Sequence, residues 1–136
     1  MGVGATTTLY LASRGSSPPG RPLPPGCVKP AGGFLVVASD TGYNDSMGHG
    51  VPEQNWPIVT VVQGQNVTFV VCNIDVQPHG FQVTHYDDKS EVTIVPGQVY
   101  RVSFVANQAG SFAIYCEIFC TIHWAMQSGL LKVVAS

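Results

Sequence analysis

The stretch that decides the fold is Val99-Tyr100-Arg101-Val102-Ser103-Phe104-Val105-Ala106, followed by Asn107-Gln108-Ala109-Gly110 and then Ser111-Phe112-Ala113-Ile114-Tyr115-Cys116. Val99, Arg101, Ser103 and Val105 alternate with Tyr100, Val102, Phe104 and Ala106. A period of two puts successive side chains on opposite faces of a strand, so this run reads as a half-buried β-strand. The Asn/Gly turn returns the chain into a second apolar run. Working outward, residues 34–38, 58–62, 67–73, 81–84, 91–95 and 130–134 carry the same β-rich character, while residues 41–55 read as a long loop. Seven or eight short strands with no convincing helix predict an all-β chain, a sandwich or barrel.

Residues 1–33 differ. The run Gly15-Ser16-Ser17-Pro18-Pro19-Gly20-Arg21-Pro22-Leu23-Pro24-Pro25-Gly26 excludes helix and interior strand. The expected organisation is a Pro/Gly-rich arm or tether over 1–33 and a β domain over 34–136. No apolar run approaches the roughly 20 residues of a spanning helix. Thr8-Leu9-Tyr10-Leu11-Ala12 is the stretch expected to mark a membrane anchor lying N-terminal to the domain.

Charged residues make up 10% of the chain, against roughly 25% in an ordinary soluble domain. The net charge is −2 and the six Lys and Arg residues are scattered, which excludes nucleic acid as a partner. A sparse set of ionisable groups also limits self-repulsion in acid.

The chemistry concentrates just beyond the second strand, in Cys116-Glu117-Ile118-Phe119-Cys120-Thr121-Ile122-His123-Trp124-Ala125-Met126. Two thiols, an imidazole and a thioether share one inter-strand loop, and His79 lies upstream between two strand-like segments. Soft sulfur favours Cu(I) and imidazole serves both copper oxidation states. Zinc would usually take four Cys/His ligands and has little use for Met. Copper is therefore the expected cofactor, with His79, Cys116, His123 and Met126 as its ligands. His49, His85 and Glu117 read as surface or supporting groups. Phe119 and Trp124 flank the ligands, either as an apolar docking edge or as a shield against water. Cys27 and Cys72 remain, either as a disulfide tying the arm to the domain or as two buried thiols.

These residues resemble the cupredoxins, and most closely the CuA domain of haem-copper (cytochrome c) oxidase subunit II. The carriers are Val76-Gln77-Pro78-His79-Gly80-Phe81, Val95-Pro96-Gly97-Gln98, Gly110-Ser111-Phe112-Ala113-Ile114-Tyr115-Cys116 and the ligand loop. The resemblance implies a Greek-key β-sandwich over residues 34–134 and an electron carrier rather than an enzyme. It implies cytochrome c or another cupredoxin and a terminal oxidase as redox partners. It also implies an extracytoplasmic, periplasmic setting at a membrane. The family's binuclear pattern adds Cys120 and a backbone carbonyl, by position that of Ile118.

Here, however, two residues separate Cys120 from His123, where the family has three. One residue spans up to about 3.5 Å of chain, and metal ligands must lie within tenths of an ångström. One copper held by His79, Cys116, His123 and Met126 is the favoured reading, similar to the mononuclear CuA-related cupredoxins that accompany the oxidases of acidophilic iron oxidisers. Two coppers, with Cys120 and the Ile118 carbonyl, is the alternative. A copper enzyme would need an open coordination position or an extra His-x-His pair, which is missing. A copper carrier or assembly protein would need exchangeable thiolates or Met-rich tracts, and the chain has three Met.

Overall fold

The computed structural model describes residues 23–39, 42–44, 57–89, 91–116 and 129–136. Eight strands are defined among them: β1 (Phe34–Ser39), β2 (Gly42–Asn44), β3 (Ile58–Val62), β4 (Asn66–Asn73), β5 (Gln82–Val83), β6 (Val99–Val105), β7 (Gly110–Tyr115) and β8 (Gly129–Val134). They form two four-stranded sheets, ordered β2-β1-β4-β6 and β3-β8-β7-β5. β1 runs parallel to β4 and β3 parallel to β8, while β4–β6, β7–β8 and β5–β7 are antiparallel. The result is an all-β sandwich.

The alternation that predicted β6 holds in space. Tyr100, Val102 and Phe104 pack against the main core and Ala106 is buried in it, whereas Arg101, Ser103 and Val105 face outward. The core between the sheets is built on Phe69 and Phe81, both fully buried, with their rings 5.3 Å apart. Val36, Val61, Val71, Ile114 and Leu131 complete it from both sides.

β4 breaks the rule of one wet face. Five consecutive residues, from Phe69 to Asn73, are buried. Phe69 and Val71 face the main core, while Val70 and Cys72 join a second cluster with Cys27, Val37 and Ile74, backed by Leu23. The end of the Pro/Gly-rich arm covers this outer face. Cys27 and Cys72 are joined there as a disulfide across 45 residues of chain. Gly33, where the arm enters β1, is required by close approach: a Cβ would lie 2.5 Å from the Thr68 carbonyl oxygen.

Two expected elements differ. Residues 42–44, read as loop, form β2 and pair with β1 through Ala38 and Tyr43. Residues 91–95, read as a strand, are not one; Ile94 alone pairs, in an isolated bridge with His79. The side chain of Asn73 also donates to the Ile94 carbonyl at 2.7 Å, so this segment is tied to the loop that follows β4 rather than to a neighbouring strand. No helix among the described residues is long and apolar enough to cross a membrane.

Candidate metal centre

Of the predicted ligands, His79 and Cys116 lie among the described residues. Cys120, His123 and Met126, together with Glu117, the Ile118 carbonyl, Phe119, Trp124 and His49, lie outside them. Pairing between β5 and β7 brings the first two to one end of the sandwich. Gln82 pairs with Tyr115, so the residues just before β5 meet the residue just after β7. The Gly80 N–H then donates to Cys116 Sγ at 3.2 Å. A buried thiol is thus held one residue along the chain from His79, and both residues are fully buried. The Tyr43 hydroxyl donates to the Gly80 carbonyl, so both backbone polar groups of this residue are held.

His79 is held twice. Its backbone exchanges hydrogen bonds with Ile94, at 3.1 Å for His79 N–H to Ile94 O and 2.7 Å for the reverse. Its ring Nε2 meets Asp75 Oδ2 at 2.8 Å. Asp75 is itself nearly buried and receives two more donors: the Val76 N–H at 2.7 Å on Oδ1 and Gln77 Nε2 at 3.1 Å on Oδ2. Asn73 closes the turn. Its Oδ1 accepts the Asp75 N–H at 2.8 Å and its Nδ2 donates to the Gln77 carbonyl at 2.9 Å. The chain cannot form these bonds as a strand or helix, which is why β4 stops at Asn73.

Burial pushes the His79 imidazole below its ordinary value, against the hydrogen bond and the attraction of Asp75. Burial alone would raise the Asp75 carboxyl. Hydrogen bonds from His79, the Val76 N–H and Gln77, with the attraction of His79, outweigh it and hold the group below the usual carboxylate range. The pair is therefore a carboxylate facing a neutral ring at neutral pH.

A carboxylate can only accept, so Nε2 carries the ring proton and Nδ1 carries the lone pair. Nδ1 is buried and has no hydrogen-bond partner among the described residues. An orphaned buried acceptor costs about 1–3 kcal/mol. A metal ion would satisfy it, and metal-bound histidines commonly give their other N–H to a carboxylate. The donor set at this end of the sandwich, an imidazole nitrogen with a thiol sulfur, fits copper. Among the described residues no group of three His, Cys, Asp or Glu side chains is placed to hold a metal ion, and the remaining predicted ligands lie outside those residues. His85 stands apart, stacked on Phe112 at 5.5 Å and edge-on to Tyr86 at 4.6 Å, with a φ of 77°.

Sequence reasoning missed Asp75, Asn73 and the Gly80 N–H. The available signal was Asn73-Ile74-Asp75 at a strand end, two turn-forming side chains shortly before a candidate ligand.

Among solved structures, a multicopper oxidase superposes on 76% of this chain and 42% of its own with a TM-score of 0.58 and 18% identity. A haem-copper terminal oxidase dimer determined by cryo-electron microscopy superposes on 90% of this chain and 76% of its own, with a TM-score of 0.57 and 17% identity. The fold is cupredoxin-like. In sequence, this cupredoxin-like chain is distantly similar to nitrous-oxide reductases. The enzyme of Pseudomonas fluorescens is 36% identical over 76 residues, 53% of this chain. That of Stutzerimonas stutzeri is 37% identical over 71 residues, 49% of this chain. The matched stretch spans only 12% and 11% of the length of those two curated relatives. No protein-family model matches the chain.

Proposed function

We propose that this cupredoxin-like domain is a copper-binding electron carrier, not an enzyme in itself. It holds one ion through His79, Cys116, His123 and Met126. The observation that carries the reading is His79 Nδ1: buried, bearing a lone pair, without a hydrogen-bond partner among the described residues, and one residue from the Gly80 N–H that binds the Cys116 sulfur. Copper, when bound, supplies a one-electron couple between Cu(I) and Cu(II). The chain's own residues do the rest. The Gly80 N–H stabilises negative charge on Cys116 Sγ, and the sandwich keeps both ligands from water. Strand ends hold both ligand segments, so the site needs little rearrangement when its charge changes.

The match to a short stretch of the nitrous-oxide reductases supports a redox module that serves a larger system. Its partners are a cytochrome c or another cupredoxin on one side and a terminal oxidase on the other. Phe119 and Trp124, apolar residues of the ligand loop in sequence, are the residues to test for docking of such a partner. The Cys27–Cys72 disulfide supports an extracytoplasmic setting, because such bonds persist in oxidising compartments.

Titrating the apo-protein with copper tests this. Binding with an intense thiolate-to-copper absorption band that Cys116→Ala abolishes is the expected result. A coloured site that survives without Cys116 overturns the assignment. Slow copper loss to a chelator separates the electron carrier from a copper carrier. A second reading, a binuclear centre, is favoured by the second thiol, Cys120, in the same loop. In that case Cys120→Ala collapses the site, whereas it leaves a mononuclear one largely intact.

A further inference from the structure

We propose that Asp75 is the positioning residue for His79: its carboxylate fixes the ring as the Nε2–H tautomer and so presents Nδ1 to the metal. The backbone bridge to Ile94 sets where the Cα of His79 sits, but leaves the ring free to choose its tautomer. The choice is made at 2.8 Å by Asp75 Oδ2. The carboxylate is in turn immobile. Its two oxygens take three donors, from Val76, Gln77 and His79, and its own N–H is held by Asn73 Oδ1. Asn73 further binds the Gln77 and Ile94 carbonyls, so a single buried amide locks the loop that carries both Asp75 and His79. A neutral carbonyl could fix the tautomer as well. A carboxylate adds negative charge beside the ligand, which strengthens Nδ1 as a donor and favours the more positive oxidation state of the site.

The substitution Asp75→Asn is informative because both oxygens already accept hydrogen bonds. An amide must turn its NH2 toward either the Val76 N–H or the His79 and Gln77 donors. Facing His79, that NH2 forces the ring to accept at Nε2 and to protonate Nδ1, which blocks the metal-binding atom; facing Val76, it leaves the amide oxygen on Nε2–H and the tautomer unchanged, so the decisive variant is Asp75→Ala, which removes the acceptor.

The inference rests on the proposed copper site only for its metal readout; the tautomer is read without metal. Long-range 1H–15N spectra of the imidazoles of the full apo-chain, with the His79 signals assigned by their loss in His79→Gln, report which nitrogen is protonated. The expected result is Nε2–H in the wild type, and a mixture of both tautomers in Asp75→Ala, whose side chain offers the ring no acceptor. Copper affinity should fall by roughly 10- to 100-fold in the variant, with a higher reduction potential in the fraction that loads. An Nδ1–H ring in the wild type overturns the inference. A ring still held wholly as Nε2–H in folded Asp75→Ala overturns it too. If the tautomer behaves as expected but the wild type takes up no copper, the positioning role stands and the functional reading falls.

Discussion

Replacing Cys27 and Cys72 together by alanine removes a cross-link across 45 residues. In the chain-entropy account a loop of that length constrains the unfolded chain by about 4 kcal/mol at 25 °C. That is a large share of the 5–15 kcal/mol that holds an ordinary domain together. Equilibrium urea unfolding of the apo-protein, followed by circular dichroism, measures it. With a slope of about 1.5 kcal/mol/M, the midpoint should fall by roughly 2–3 M. The slope itself should rise, because an unfolded chain released from its loop exposes more surface. The melting temperature should drop by roughly 12–20 °C for a domain of this size. The effect should also reach the loop after β4, since Cys72 directly precedes Asn73. Amide exchange at the His79 and Gly97 N–H groups, which bind Ile94 O and Asn73 O, should accelerate beyond the global change. A loss under about 1 kcal/mol with an unchanged slope would refute the reasoning. It would mean that the unfolded chain already keeps the arm near β4, so that the cross-link removes little of its freedom.

Other substitutions test other links. Gly129→Ala places a Cβ 2.7 Å from the Ile114 carbonyl oxygen and 2.8 Å from Ile114 Cβ, so β8 must shift away from β7; a loss of about 1–3 kcal/mol in urea unfolding is expected, and no loss would refute that close approach. Phe69→Ala empties the centre of the aromatic core, where its ring contacts Phe34, Phe81 and Phe104, and should cost about 3–5 kcal/mol by the same assay. Tyr100 is held in its protonated form by burial and then by its 2.8 Å hydrogen bond to Asp87 and the charge of that carboxylate, all raising its pKa. Its contribution is therefore complete below the ordinary tyrosine value near 10 and is lost as the pH climbs past that toward the folded value. The melting temperature should fall as the pH rises above about 10, and Tyr100→Phe should flatten that fall; an equally steep fall in the variant would count against the assignment.

The long alternating strands were legible because one face of β6 meets the core and the other meets water, which writes a period of two into Val99 to Val105. β2 was not legible. Three residues of a Gly/Asn-rich stretch form it only because β1 offers an open edge, and Tyr43 is drawn in by the core and by the Gly80 carbonyl. Residues 91–95 look like a strand by composition, but the backbone there is claimed by Asn73 and His79, and no local pattern announces so distant a competitor. The burial of both faces near the end of β4 had a trace in Val70-Val71-Cys72, yet what covers the outer face is the arm, which composition alone marks as loose. His79 and Cys116 stood out from residue type and spacing, and the structure brings them to one end of the sandwich. Asp75 did not stand out, because a lone acidic residue in a turn is commonplace and its meaning arises only when the turn folds back over the ring.

The most direct test of a one-copper carrier is the electron paramagnetic resonance spectrum of the copper-loaded protein, with copper counted per chain. Hyperfine structure from a single copper nucleus, at one copper per chain, is the predicted result. An electron shared over two nuclei, at two coppers per chain, would contradict the mononuclear site and show that the shortened Cys120–His123 spacing still supports a binuclear centre.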